Sequence, residues 1–136
     1  MMKVDGREVF GWLSETGSLS LRVQGTSMQP FLNDGKDTII LTKPEKIKKG
    51  DIVVCERNGY YVMHRVISIK NGMIDTLGDN LDVPERDIPV ENIVAVASGA
   101  VRNGKKIGPH SLLWQFFSKI YIHPAARKAV RFLFRR

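Results

Sequence analysis

Three Asn-Gly pairs, Asn58-Gly59, Asn71-Gly72 and Asn103-Gly104, do most to narrow what this chain can fold into. Asn and Gly both tolerate positive φ, and two such residues in succession suit the twist of a tight antiparallel hairpin. The pairs sit between runs rich in β-branched and aromatic residues, as in "DIVVCER", "YYVMHRVISI" and "VENIVAVASGAV". Runs of that composition, bounded by turn residues, read as strands. "SLSLRVQG" alternates with period two, and "DTIILTKP" is a second apolar run closed by Lys43-Pro44. Residues 18–108 therefore hold about six or seven short strands and little helix. The expected fold is mainly β, a folded sheet or partly open barrel.

The two ends differ from this core. Residues 2–16 suit a short helix with Val9, Phe10, Trp12 and Leu13 as its apolar face. Near the other end Leu112, Leu113, Phe116, Phe117 and Ile120 follow helical spacing. His123-Pro124 interrupts that pattern, and a second helix is expected over residues 125–134. The division is a core over residues 1–108 and a basic, amphipathic helical tail over 109–136.

Charge supports the same division. The chain of 136 residues has the size of one domain, and its 43% hydrophobic and 26% charged content is that of a globular protein. The net charge is +7, but residues 101–136 alone carry nine Lys or Arg and no acid. The first 100 residues hold 12 basic against 14 acidic residues. Any attraction to an anionic partner therefore belongs to the tail. Trp114, Phe116, Phe117 and Tyr121 on or near one helix face, with arginines beyond, suit an anionic membrane surface through residues 111–136. The competing reading packs Leu113, Phe117 and Ile120 on the β core. Nucleic acid is the weakest candidate partner.

The single Cys55 rules out an intrachain disulfide and a cysteine-based zinc cluster, and its apolar strand context reads as a buried thiol. No metal and no cofactor are expected. "MMKVDGREVFGWL" has no apolar signal-peptide core, and no window reaches the roughly 18–20 apolar residues that span a bilayer. The expected location is cytoplasmic, with peripheral attachment at the inner membrane face.

The candidate chemistry centres on "VQGTSMQPFLNDG", residues 23–35. Ser27 follows two small residues and precedes Met28 and Pro30. A serine hydroxyl is a poor nucleophile until a base takes its proton. Of the three histidines, His64 lies on the strand "YYVMHRVISI" and shares its alternation with Tyr60 and Val62, whereas His110 and His123 neighbour prolines in or near the tail. Taken singly, Ser27 is a routine turn residue and His64 an ordinary strand histidine.

Taken together they resemble a known family. "GTSMQP" resembles the Gly-x-Ser-Met-x-Pro box of the signal peptidase and repressor-type serine peptidases of clan S24/S26. "YYVMHRVISI" and "LGDN" resemble that family's second and third boxes, in the same order, so that the resemblance covers residues 20–98. His64 followed by Arg65-Val66 is similar to the archaeal and endoplasmic-reticulum branch, where histidine replaces the lysine base. The resemblance implies Ser27 as nucleophile, His64 as general base and then acid, and an oxyanion site from the Ser27 amide helped by Gly25 and Thr26. Met28 and Pro30 would shape the turn and the substrate cleft. The acid is less defined. Asp79 fits the Gly-Asp-Asn box, and Glu85 stands six residues on, where that branch has aspartate. Asp87, Glu85 and Asp82 compete as direct partners of His64, with solvated turn charge as the alternative for each.

The implied activity is hydrolysis of a peptide or protein precursor by a serine endopeptidase without a transmembrane anchor. A non-catalytic peptide-binding module on the same fold, and a self-cleaving regulator, are the alternatives. "AVASGA" offers Ala95 and Ala97 at small-x-small spacing, but it reads as a strand.

Overall fold

The computed structural model describes residues 11, 13 and 15–134. Residues 11, 13, 15 and 16 are helical. The rest of the helix expected over residues 2–16 lies outside the described residues, as does Trp12. Eight strands follow: β1 (Ser18–Arg22), β2 (Thr38–Thr42), β3 (Ile52–Arg57), β4 (Tyr60–Lys70), β5 (Met73–Leu77), β6 (Glu85–Pro89), β7 (Ile93–Arg102) and β8 (Lys105–Ile107). A 3-10 turn, Val90–Asn92, precedes β7, and two helices follow β8: α1 (Leu112–Ile120) and α2 (Pro124–Phe134).

All three Asn-Gly pairs turn hairpins. Asn58, Asn71 and Asn103 have φ of 51°, 52° and 52°, and the glycines after them 83°, 73° and 75°. Positive φ at both central residues is the primed turn that brings β3 onto β4, β4 onto β5 and β7 onto β8. The sheet is antiparallel in the order β1-β2-β7-β3-β4-β5-β6, with β8 on β7. The sheet is not closed into a barrel. Closure would need β1 and β6 to pair, and they are instead the two ends of the hydrogen-bonded path. The interior is covered by the β1–β2 connection and α1, so the core is sealed without closing the sheet.

β3 shows why this works. Its register sets Ile52, Val54 and Glu56 opposite Arg65, Met63 and Tyr61, and Val53 and Cys55 opposite His64 and Val62. Successive side chains alternate faces. Ile52, Val54, Tyr61 and Met63 join one buried cluster with Phe31, Leu32, Ile39 and Leu41. Val53 and Cys55 join a second with Val66, Ile74, Ile88 and Ile93. A strand buried on both faces reads as an unbroken apolar run, which is the pattern of "IVVC". Burial in that second cluster pushes the Cys55 thiol up to about 12, so it is unreactive.

α1 starts at Ser111, whose hydroxyl accepts from the Trp114 amide at 3.2 Å. It buries Trp114 and Phe117, and Tyr121 follows at its C-terminus. Phe31 lies edge-on to Trp114 at 5.2 Å and 4.9 Å from Phe117. Three of the aromatics read from sequence as lipid-facing are thus core residues, and only Phe116 of that set stays exposed. α2 begins at Pro124 itself, one residue earlier than expected, because proline at the first helical position has no amide to leave unpaired.

α1 docks closely on the β2–β3 turn. Gly50 has φ of 92°, and a Cβ there would lie 2.7 Å from the Ser118 carbonyl oxygen. Gly50→Ala is expected to destabilise the protein by about 1–3 kcal/mol, through backbone strain and displacement of α1. Urea unfolding followed by tryptophan fluorescence measures it; an unchanged midpoint would refute the close docking.

Candidate active site

The Ser27 turn is held from within and from beneath. Gly25, at φ 87°, donates its amide to Asp34 Oδ1 at 2.8 Å. The Gln29 amide reaches the Thr26 carbonyl at 3.2 Å, and the Leu32 amide reaches that of Met28 at 2.9 Å. Met28, Phe31 and Leu32 are buried in the first cluster, which leaves Ser27 half-buried at the crest. The Gln29-Pro30 bond is cis. At the base, Arg102 makes two 2.9 Å bonds to Asp37 and also donates to the Phe31 carbonyl. Burial works to raise the Asp37 pKa, but the bonds from Arg102 and Asn33 outweigh it and hold the carboxyl below its ordinary value.

The "LGDN" turn after β5 clamps this crest. The Asn80 amide donates to the Ser27 carbonyl at 2.9 Å, and Asn80 Nδ2 donates to the Thr26 carbonyl at 3.1 Å. Gly78 permits the approach, since a Cβ there would stand 2.7 Å from the Ser27 carbonyl oxygen. Leu77 lies opposite Arg65, so this turn begins beside the β4 segment that carries His64.

Asp79 is committed to Arg65. Both are fully buried, and Nε and Nη2 of Arg65 each donate to one carboxylate oxygen at 2.8 Å. The remaining terminal nitrogen donates to the Gly50 carbonyl at 2.8 Å, and the guanidinium lies 5.4 Å from the centre of the Phe31 ring. The structure therefore occupies Asp79 as a partner of Arg65 and sets a different acid beside His64.

That acid is Glu85. His64 is buried, with Nδ1 3.7 Å from Glu85 Oε1 and no hydrogen-bond partner of its own. Arg57 holds the other oxygen of Glu85. Burial pushes the His64 pKa down to about 4, so the ring is neutral at neutral pH. The other two acids lie apart. Asp82 is exposed and paired with Arg131 of α2. Asp87 is exposed on β6 with φ of 57°, and its amide donates to Asp75 Oδ1 at 2.9 Å.

α2 completes the support of the clamp. Arg127, buried, donates to the Gly78 carbonyl at 2.6 Å and to that of Leu81. Arg131 reaches the Asn80 and Leu81 carbonyls, each at 3.2 Å. Sequence reasoning passed over these arginines as tail charge, and passed over Arg57 and Arg65 as site residues. Arg65 did carry a signal: one guanidinium within the apolar strand "VMHRVI" requires a buried carboxylate elsewhere. A cavity of about 720 Å³ lies away from this chemistry, between α1 and the β2–β3 turn, lined by Lys43, Lys48, Lys49, Trp114 and Ser118 among others.

The crest that carries Ser27 is bonded to the Asn80 turn, and a buried histidine on β4 faces a carboxylate on β6. The Peptidase S24-like family model matches residues 8–100, and the chain belongs to this family. No curated protein matches it. No solved structure does either.

The two acids are expected to respond differently to mutation. Asp79→Asn strands a buried guanidinium and is expected to cost about 3–5 kcal/mol in urea unfolding, whereas Glu85→Gln, with its carboxylate part-exposed, costs much less. Equal losses would refute the division. His64 adds a pH dependence. Its folded pKa is depressed from 6.5 to about 4. The unfolded chain therefore binds more protons between those values, and stability falls as pH drops through that window. The loss from this group is on the order of 3 kcal/mol and ends below the folded pKa. Unfolding free energies of the parent and His64→Asn across that range test it; parallel curves would show that His64 does not contribute.

Proposed function

We propose that the protein is a serine endopeptidase in which Ser27 attacks the scissile carbonyl and His64 takes its proton. Glu85 orients and charges the imidazole. The observation that carries this reading is the pairing of His64 Nδ1 with Glu85 Oε1, with Arg57 fixing the far side of the carboxylate. With Nδ1 turned to the acid, Nε2 is the nitrogen left to serve Ser27. The Ser27 amide, with Gly25 and Thr26 beside it, lies on a backbone stitched at both carbonyls by Asn80, and this rigidity supports an oxyanion site there. Asp79 acts at one remove by holding Arg65 next to the base. Histidine followed by Arg65-Val66 supports the His-type branch of the clan over the lysine type. The substrate class is a peptide or protein precursor bound in extended form across the Ser27 crest, beside Met28 and Pro30. The single buried thiol suits a reducing, cytoplasmic setting.

One observation favours the non-catalytic reading. The His64–Glu85 separation of 3.7 Å exceeds a hydrogen bond, and Arg57 competes for the acid. A peptide-binding module would keep this geometry and cleave nothing.

Peptide-library digestion read by mass spectrometry separates the two. Ser27→Ala and His64→Ala are expected to abolish cleavage with folding intact, and Glu85→Gln to lower kcat by about 10²–10⁴. The acid limb of kcat/KM should lie near the depressed His64 value of about 4 rather than at 6.5. Cleavage that survives in Ser27→Ala, or its absence in the parent, would sink the proposal.

A further inference from the structure

α2 turns two arginines inward and two large apolar side chains outward. A helix lying on a domain ordinarily turns its apolar stripe inward. Here the inward side holds Val130, packed on the first cluster, together with Arg127, buried and bonded to the Gly78 and Leu81 carbonyls, and Arg131, bonded to the Asn80 and Leu81 carbonyls. Phe132 and Leu133 point outward, each 77% exposed. Lys128, one turn before Phe132, shares that outward side. The turn that α2 grips is also apolar outside, with Val83 79% exposed beside the Arg131–Asp82 pair. Exposed apolar side chains clustered on one element mark an interaction site.

Charge identifies the occupant. The chain has no Asp or Glu after Glu91, and two further arginines, Arg135 and Arg136, follow α2. Acids near the patch are already answered, since Asp82 pairs with Arg131. An apolar tip beside the exposed Lys128, in a segment whose sequence carries cations and no acid, suits a surface that is apolar within and anionic at its rim. A second copy of this chain would bring the same cations against themselves. No described helix is long and apolar enough to cross a membrane.

We propose that the outward face of α2, through Phe132, Leu133 and Lys128, docks the protein on an anionic lipid bilayer. The docked helix is the one that holds the turn under Ser27, so the bilayer fixes the orientation of the serine crest. This inference does not depend on the peptidase reading.

Co-sedimentation of the full chain with vesicles is the test. Vesicles of phosphatidylglycerol and phosphatidylcholine are compared with phosphatidylcholine alone. Binding is expected to the anionic vesicles, to weaken at least about tenfold in the Phe132→Ser/Leu133→Ser double variant, and to weaken in Lys128→Glu and in about 0.5 M salt. Both apolar side chains point away from the domain, so the double variant should keep the parent's urea midpoint, and Ser27-dependent cleavage of a soluble peptide should be unchanged if the parent cleaves. Three results would overturn the proposal: no sedimentation with anionic vesicles, binding undiminished in the double variant, or a dimer in sedimentation velocity that the double variant dissolves.

Discussion

The buried ion pair of Arg65 with Asp79 is the contact on which the rest of the structure depends. Taking both charges out of water costs several kcal/mol each. Here the cost is offset by two parallel bonds at 2.8 Å, a third from the guanidinium to the Gly50 carbonyl, and the face of Phe31. Each contact reaches a different part of the chain. Asp79 belongs to the turn that clamps Ser27, Phe31 to the segment after Ser27, and Gly50 to the turn under α1. Arg65 itself adjoins His64. One guanidinium thus fixes the relative positions of three sequence-distant segments, and a hydrophobic pair of equal volume would not carry that directionality.

The arrangement also explains why two acids are needed where one would satisfy charge. A carboxylate bonded through both oxygens to a buried guanidinium has no geometry left to align an imidazole. Asp79 therefore holds the framework, and the acid nearest the base comes from β6, six residues later. α2 extends the same logic outward. Its arginines hold carbonyls of the turn whose Asn80 holds the carbonyls of Thr26 and Ser27. The family match ends at residue 100, yet residues beyond it support the candidate site in two layers.

How much of this was legible depends on how local each cause is. The hairpins were legible because Asn-Gly dictates its own backbone. β7 lying between β2 and β3 was not, because that pairing is set by matching faces across the whole chain. β6 was hidden for a different reason. "ERDIP" contains a proline and a positive-φ aspartate, and becomes a strand only by pairing with the bulged β5. Glu85 accordingly could be read either as the partner of His64 or as turn charge. For α1, helical spacing placed Phe117 and Ile120 correctly on one face but could not say whether core or lipid would cover it. The Phe31–Trp114–Phe117 packing answers that, through a turn some 80 residues earlier in the chain. Among the acids, only geometry distinguishes the partner of His64 from the partner of Arg65.

The depressed pKa of His64 bears on how the proposed mechanism must run. A base near 4 is neutral at working pH, which is required, but it is also weak, and a general base works best when its pKa lies near the pH of reaction. The missing basicity has one available source. Bringing Glu85 from 3.7 Å to within hydrogen-bond reach of Nδ1 would favour the imidazolium and raise its pKa as the proton arrives from Ser27. Arg57 opposes that movement by holding the same carboxylate. β6, which carries Glu85, is the end strand of the open sheet and is paired on one side only. The open sheet therefore leaves the acid-bearing strand with one edge outside the hydrogen-bonded path.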